Sequence, residues 1–331
     1  MDTHDITNTN VTGWFFKNHG SNDAAVIHTW ESMDNCNING TFIENEGFYS
    51  GVFYFNGYVN NSNIDGVYIN NTAGYGGVDM INHIYNSNIS GLFINNSAKY
   101  YYGGVHYLKE YNENCTFTGT YINNHAKLLG GVFYIKNGLN NTVISGSFSN
   151  NTAGEYGNTI YVMGSSRDEG VDVNLTIRDS VFSGTNPIYT DNDLVNNAYI
   201  NLINNKELDN DGDYFIYNQY NLNLFNNTLT TVIYNKGNIT SPTNITIRDN
   251  TTEKVDSSLV NLYAKILDDN NNYIVEDLFV FTINDAIFET TFNKEGFVDA
   301  DYVLKEGYGI YIINSTMDSL KNIVSDKKYL Y

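Results

Sequence analysis

The segment Gly66-Val67-Tyr68-Ile69-Asn70-Asn71 decides the fold, because its pattern occurs six times between residues 13 and 151. Each copy has a glycine, an aromatic residue two positions later and an asparagine three positions after that. The copies begin at Gly13, Gly40, Gly66, Gly91, Gly119 and Gly146. Successive glycines are 27, 26, 25, 28 and 27 residues apart. A repeat of this length predicts stacked supersecondary units that bury their apolar faces against their neighbours.

The residues around the glycine predict a β-strand. In all six copies the position two before the glycine is apolar, the position four before it is small, and polar residues mostly stand between. This period of two is typical of a strand with one buried face. The asparagine column predicts a buried corner, where side-chain amides bond to their equivalents in the coils above and below. The predicted ladder consists of Asn18, Asn45, Asn71, Asn96, Asn124 and Asn151.

A second strand follows in each unit and is usually introduced by Gly-Gly. Examples are Val52-Phe53-Tyr54-Phe55 and Val132-Phe133-Tyr134-Ile135. Short strands stacked in register about 4.8 Å apart form a parallel β-solenoid. The alternative is a sandwich of antiparallel hairpins. The same residue type in the same column of every unit favours the solenoid, because a sandwich has no need of it.

The pattern changes after Ile160. Residues 164–172 read as an insertion, and leaner units such as 199–205 and 221–227 follow it. From about residue 243, short apolar runs separated by turn signals are typical of an immunoglobulin-like sandwich. The expectation is therefore an all-β chain: a right-handed parallel β-helix of about nine coils over residues 1–240, then a small Ig-like β-sandwich over residues 241–331.

Charge and hydropathy exclude several classes of partner. The formal net charge is −20, which opposes binding to a nucleic-acid backbone. No run of 18 apolar residues exists, so we expect no membrane insertion. Met1 leads into Asp-Thr-His-Asp, which is unlike an export signal, and no anchor is visible. We therefore expect a segment of a longer chain.

Two cysteines and many glycosylation sequons complete the composition. Cys36 and Cys115 occupy one column three coils apart, a separation of about 14 Å that is too long for a disulfide. The sequence therefore predicts two buried free thiols. About fifteen Asn-x-Ser/Thr sequons are consistent with a glycosylated exterior. They include Asn70, Asn95, Asn150, Asn244 and Asn314.

The Phe/Tyr-x-x-Asn column, with Gly-Gly-Val one strand later, is similar to the repeats of chlamydial polymorphic outer-membrane autotransporters. With its Asn-, Tyr- and Ile-rich composition, the chain resembles more closely the adhesin-like surface proteins of gut methanogenic archaea. In that family pectin-lyase-like β-helix repeats precede Ig-like modules, which residues 262–274, 280–284 and 307–311 resemble. The resemblance implies an extracellular, cell-surface, adhesive role, with glycans or surface proteins of other cells as partners.

The alternative function is a polysaccharide lyase or glycoside hydrolase on the same fold, with its site near residues 164–193. Hydrolysis needs two carboxylates about 5–10 Å apart, and Asp168, Glu169 and Asp172 are the candidates. A solvated acidic loop is the simpler interpretation of these residues. A lyase needs a basic group, and no arginine lies in a repeated strand. We therefore expect a non-catalytic chain.

Two candidate sites remain. Tyr100, Tyr101 and Tyr102, with Tyr111 nearby, predict a glycan-binding surface, because aromatic rings stack on sugars while amides bind hydroxyls; structural filling of a wide corner is the alternative. The residues Asp209, Asp211 and Asp213 alternate around a turn glycine and resemble a Ca²⁺ loop without the EF-hand glutamate. No other cofactor is expected. The histidines suggest no metal site, and His83 and His106 are predicted on outer faces.

Overall fold

The computed structural model describes residues 1–164, 172–191, 198–239, 246–249, 259–275, 279–283, 286–293, 296–303, 311–317 and 327–330. Within these residues the chain is all-β, without any helix, and it forms a parallel β-solenoid of about eight turns where the sequence predicted about nine. The last solenoid strand pairs in parallel with a strand of the C-terminal segment.

The solenoid strands follow one another in repeated groups. The first coils contain β1 (Asp2–Thr7), β2 (Asn10–Phe16), β3 (Ile27–Asp34), β4 (Asn37–Ile43), β5 (Phe53–Asn60), β6 (Asn63–Ile69), β7 (Thr72–Ala73), β8 (Asp79–Tyr85), β9 (Asn88–Ile94) and β10 (Ser97–Ala98). The middle coils contain β11 (His106–Leu108), β12 (Asn112–Glu113), β13 (Thr116–Ile122), β14 (His125–Ala126), β15 (Phe133–Ile135), β16 (Leu139–Ser149), β17 (Thr152–Ala153) and β18 (Ile160–Val162). The last coils contain β19 (Val173–Arg178), β20 (Val181–Ser183), β21 (Ile188–Thr190), β22 (Ala198–Ile203), β23 (Lys206–Glu207), β24 (Ile216–Asn218), β25 (Asn221–Phe225) and β26 (Ile233–Asn235).

The repeat strands pair in parallel and in register. The strands β2, β4, β6, β9, β13 and β16 form one sheet in which the column glycines lie directly opposite one another. A Cβ atom on Gly91 would lie 2.2 Å from the carbonyl oxygen of Gly66, which explains why the column requires glycine. Parallel pairing throughout β1–β26 excludes the sandwich of antiparallel hairpins for this part of the chain.

Each of the first six coils has two corners, and at each corner one residue has backbone dihedral angles in the left-handed region. One corner column is Asn8, Asn35, Asn61, Asn86, Asn114 and Asn141. The other is Lys17, Glu44, Asn70, Asn95, Asn123 and Asn150. Asparagine adopts this conformation more easily than other residues with a side chain, because its amide bonds locally to the backbone. The corners therefore account for much of the asparagine in the sequence.

The second corner is followed by the asparagine column, whose amides bond from coil to coil. The backbone N–H and the Nδ2 of Asn45 both donate to Oδ1 of Asn71, at 3.0 and 2.9 Å. Nδ2 of Asn71 donates to Oδ1 of Asn96 and to the carbonyl of Phe42. Equivalent side-chain bonds link Asn18, Asn45, Asn71, Asn96, Asn124 and Asn151. Five of the six are buried, and Asn18 is half-buried.

We expect Asn71→Ala to destabilise the solenoid by about 2–3 kcal/mol, because it leaves buried donors of Asn45 and the carbonyl of Phe42 without their partner. Asn63→Ala is the matched control, since Asn63 stacks in an amide row on the exposed surface, and its loss costs under about 0.5 kcal/mol. Urea unfolding followed by circular dichroism measures both. Equal losses for the two variants would contradict the role of the buried ladder.

The aromatic column of the repeat lies inside the solenoid. The rings of Phe15, Phe42, Tyr68, Phe93, Tyr121 and Phe148 stack in that order, with centroids 4.6–5.0 Å apart. These side chains are buried or nearly so and belong to one continuous core. The coil interior is therefore filled by the residues that first reveal the repeat in the sequence.

The change of pattern after Ile160 is a change of cross-section. The long strand β16 pairs with two shorter strands, β19 and β20, which are separated by Asp179 in the left-handed conformation. The same corner recurs at Asn204 and Asn226. It is followed by Asn205 and Asn227, which rebuild a buried amide ladder. In the leaner coils a corner therefore lies opposite the middle of β16, where the earlier coils continue as a strand.

Both cysteines are free and buried, as predicted. The Sγ atom of Cys115 lies 3.1 Å from the carbonyl oxygen of Glu113 and 3.4 Å from that of Ile84. Burial raises the pKa of the Cys115 thiol to about 11, so the thiol stays protonated and unreactive at neutral pH.

The C-terminal strands pair mainly antiparallel. They are β27 (Thr246–Asp249), β28 (Leu259–Leu267), β29 (Tyr273–Val275), β30 (Phe279–Ile283), β31 (Ala286–Thr290), β32 (Phe297–Val303), β33 (Tyr311–Met317) and β34 (Lys327–Leu330). Among the described C-terminal strands, β29 also pairs in parallel with the solenoid, at β26. Next to β29, Nδ2 of Asn272 donates a hydrogen bond to the backbone carbonyl of Asn227, the last asparagine of the ladder in the leaner coils.

Candidate ligand-binding surface

A column of mainly aromatic side chains lies on the outer side of one solenoid sheet. In β5, Phe53 and Phe55 belong to the core, whereas Tyr54 between them belongs to a separate cluster on the opposite side of the strand. Parallel register repeats this position in each coil. The column, called here the tyrosine ladder, consists of His28, Tyr54, Met80, Tyr107, Tyr134, Tyr161, Tyr189, Tyr217 and Tyr234.

The loops before these strands place further rings over the ladder. These side chains, called here the roof, are all aromatic except Leu129. They are Phe48, Tyr49, Tyr75, Tyr100, Tyr101, Tyr102, Leu129, Tyr156 and Tyr214. Tyr102 stacks on Tyr134 with centroids 4.4 Å apart, and Tyr75 stacks on Tyr107 at 5.6 Å. The roof therefore buries the ladder in the middle coils. Ladder and roof together form an aromatic belt along the solenoid.

Stacking decides which parts of the rings remain available. Tyr161, Tyr189, Tyr217 and Tyr234 stack almost in parallel, with centroids 4.7–5.5 Å apart. Because neighbouring rings cover each other's faces, the ladder presents ring edges and hydroxyl groups. Within the belt, the most exposed rings belong to the roof, where Tyr100 is 59% exposed and Tyr156 is 49% exposed. Stacking on a sugar ring is therefore possible mainly at the roof.

The phenol groups of the belt are neutral hydrogen-bonding groups. Burial raises the pKa of Tyr54 and of Tyr189 to about 12. Burial, with the neighbouring Asp191 carboxylate, raises the pKa of Tyr161 further, and its hydroxyl donates to Oδ2 of Asp191 at 2.7 Å. These hydroxyls stay protonated well above neutral pH. The belt therefore carries no phenolate charge at neutral pH.

Charged groups lie at both ends of the ladder. At the first coils, the ring of His28 stacks on Tyr54, and its Nδ1 lies 3.2 Å from Oδ1 of Asp2 and 3.6 Å from Oδ2 of Asp23. At the last coils, Nζ of Lys236 lies 5.5 Å from the ring centroid of Tyr217, within cation–π range. The belt is thus acidic beside His28 and carries a cation at its other end.

The structure brings only part of the predicted tyrosine site together. Tyr100, Tyr101 and Tyr102 belong to the roof, but Tyr111 does not, since its ring neighbour is Tyr85 at 6.4 Å. The ladder itself was not predicted. Its signal was present in the second strands, where an aromatic such as Tyr54 stands between two core residues. A strand covered on both faces shows no polar alternation, so its outward side chains are hard to recognise.

The predicted Ca²⁺ ligands Asp209, Asp211 and Asp213 surround a turn that is stabilised by amides. Oδ1 of Asn210 accepts from the backbone N–H of Gly212, and Oδ1 of Asn186 accepts from that of Asp213, both at 2.7 Å. In the part of the chain that the structure describes, no three His, Cys, Asp or Glu residues are grouped to hold a metal ion. The calcium site remains a prediction from the sequence.

The predicted carboxylates of the enzymatic alternative are only partly described. Asp168 and Glu169 lie outside the described residues, and Asp172 is exposed just before β19.

The prediction that His106 lies on an outer face is wrong. His106 and Asp79 are register partners on the core side of β11 and β8, and both are fully buried. Nδ1 of His106 lies 2.7 Å from Oδ2 of Asp79, and its Nε2 lies 3.3 Å from the hydroxyl of Tyr121. Aromatic rings including Phe93 surround the pair. With no exposed surface, it belongs to the core rather than to a ligand site.

Comparison of the chain with protein-family models, with curated proteins and with solved structures gave no match. Among the described residues, no helix has the length and apolar character needed to cross a membrane.

Proposed function

We propose that this chain is a non-catalytic, adhesin-like module that binds glycans or glycosylated surface proteins of other cells through the aromatic belt. In this proposal the solenoid is right-handed, the antiparallel C-terminal strands form an Ig-like spacer, and the protein acts outside the cell at its surface. The observation that carries the proposal is the roof of the belt, where exposed tyrosine rings lie over a row of neutral phenol groups.

The chemistry of the roof suits a sugar ligand. A sugar ring has an apolar face that packs against an aromatic ring, and the exposed rings of Tyr100 and Tyr156 are available for such contacts. The roof rings recur along the axis from coil to coil, so an extended chain of sugars can meet several of them in succession. The net charge of −20 favours neutral or cationic glycans over polyuronates.

The experiment combines binding and turnover on the same polysaccharide panel. We expect retention of at least one neutral or amino-sugar polymer without formation of shorter products. The double variant Tyr100→Ala/Tyr156→Ala is expected to weaken this retention at least about tenfold, because it removes the two most exposed rings of the roof.

The matched control is Tyr199→Ala, which removes an exposed tyrosine on β22 outside the belt and is expected to leave retention unchanged. Retention that survives the double variant would place the ligand elsewhere. Cleavage of any polymer would support the lyase or hydrolase alternative instead.

A further inference from the structure

A second surface of the solenoid differs from the belt, and its interpretation does not depend on glycan binding. It consists of the outward residues of β2, β4, β6, β9, β13 and the second half of β16, and is called here the flat face. In β4, β6, β9, β13 and the second half of β16 the inward apolar residues are buried, whereas the outward residues are exposed or half-exposed. In β2 the inward apolar residues are half-buried. Because the six strands pair in register, these outward residues form straight rows along the axis.

The flat face is almost without charge. Each of the six strands contributes four outward positions, and Asp65 is the only charged residue among them. Even this carboxylate accepts hydrogen bonds from Oγ of Ser90 at 2.6 Å and from Nδ2 of Asn39 at 3.4 Å. The whole chain has 37 acidic and 17 basic residues. Depletion of charge from one broad surface is characteristic of the centre of a protein interface.

One side of the flat face is apolar. The row nearest the asparagine corner consists of Phe16, Ile43, Ile69, Ile94 and Ile122, and it ends in Ser149. The adjacent row includes Val67, Leu92 and Trp14, and Trp14 is 81% exposed. Apart from the rings of Trp14 and Phe16 in the first strand, the apolar side chains of these rows are aliphatic. Such rows pack well against other aliphatic rows, whereas they offer sugars neither a ring face nor a hydrogen bond. The partner that fits is therefore a protein surface.

We infer that the flat face is the interface of a homodimer, in which the same face of a second copy packs against it. A second copy carries side-chain rows with the same strand spacing of about 4.8 Å, so the two sets of rows can interdigitate over several coils. Association through this face also limits the electrostatic repulsion between two copies of the chain. Two chains of charge −20 repel each other, and the uncharged face lets them meet without opposing carboxylates directly.

The area of the flat face determines how strongly two copies are expected to bind each other. Six strands of about seven residues cover about 24 Å along the axis and about 23 Å along the strands. The projected area is then about 550 Å² per copy, or about 1,100 Å² in total, near the lower limit for specific interfaces. We therefore expect a dimer with a dissociation constant in roughly the micromolar range.

Sedimentation of the full chain over a concentration series tests the inference. We expect reversible dimerisation that becomes stronger as ionic strength rises from about 0.05 to about 0.5 M, since salt screens the repulsion and the face has no ion pairs to lose. The variant Val67→Lys/Leu92→Lys is expected to weaken dimerisation at least about tenfold. Small-angle scattering should show two solenoids side by side and not end to end.

The control Ser21→Lys/Asn22→Lys adds the same charge at exposed loop positions outside the face and is expected to leave the dimer intact. Thr120→Lys provides a second, independent disruption of the face if circular dichroism shows that the double variant misfolds. A chain that stays monomeric up to about 1 mM, or a dimer that neither face variant weakens, would overturn the inference.

Discussion

Asp79→Ala is expected to lower the free energy of unfolding by about 3–5 kcal/mol, and His106→Ala by a similar amount. Each single substitution leaves the other member of the buried pair without its 2.7 Å partner, and water cannot replace it in the core. The loss is large because burial has already removed both groups from solvent. Urea unfolding followed by circular dichroism provides the measurement.

Replacing both members together should cost far less. The double variant Asp79→Val/His106→Leu removes both members of the pair and leaves only the hydroxyl of Tyr121 without a partner that it had before. The column already accepts apolar residues at the register positions of Phe53 and Phe133. We expect the double variant to lie within about 2 kcal/mol of the unmodified chain. Asp65→Ala serves as the exposed control and is expected to cost under about 1 kcal/mol. Additive losses in the double variant would show that the two residues do not act as a pair.

Alkaline pH is expected to unfold the solenoid steeply. Burial raises the pKa of Tyr68 and of Tyr121 well above 10, and nearby Asp79 adds to both shifts. The folded state therefore keeps two protons that the unfolded chain releases above pH 10, so stability is intact below that pH and falls above it. Together these two tyrosines lower the free energy of unfolding by about 3 kcal/mol for each pH unit above 10 over which they stay protonated in the folded state. The buried ladder tyrosines act in the same direction.

Unfolding midpoints measured between about pH 8 and about pH 12, together with tyrosinate absorbance, test this expectation. Absorbance should appear with unfolding and not before it for the buried rings. Tyr68→Phe removes one proton from the linkage and keeps the ring stack between Phe42 and Phe93. Its slope above pH 10 should be shallower by about 1.4 kcal/mol per pH unit. A variant with the slope of the unmodified chain would contradict the assignment to Tyr68.

The repeat made the coil architecture predictable, whereas interactions that occur once did not follow from it. Asparagine at one position in six units indicates a stacked corner, because a buried amide has to find the same partner in each coil. His106 and Asp79 belong to the same column, but the other members of that column, such as Phe53 and Phe133, are apolar. Only the three-dimensional register shows that the histidine and the carboxylate are adjacent.

The belt and the flat face illustrate a second limit. In the strands around Tyr54 and Tyr107, both neighbours of the outward residue are buried, so hydropathy alone does not separate the two faces. The role of Tyr111 was assigned by its proximity in sequence to Tyr100, but the chain passes to another side of the coil between them. Nearness along the chain is a weak guide in a solenoid, where each coil visits every face.

The direction of the amide ladder also bears on how such chains change length over evolutionary time. Each interior ladder asparagine accepts at its oxygen from the preceding coil and donates its backbone N–H and its Nδ2 to the following one. Its Nδ2 also donates to a carbonyl of the preceding coil, and because every interior coil repeats this pattern these coils are interchangeable in hydrogen bonding. A duplication or deletion that runs from one ladder asparagine to the next rejoins matching corners. Loss of a single strand residue instead turns every following side chain to the opposite side. Whole units are therefore the natural increments by which this architecture grows or shrinks.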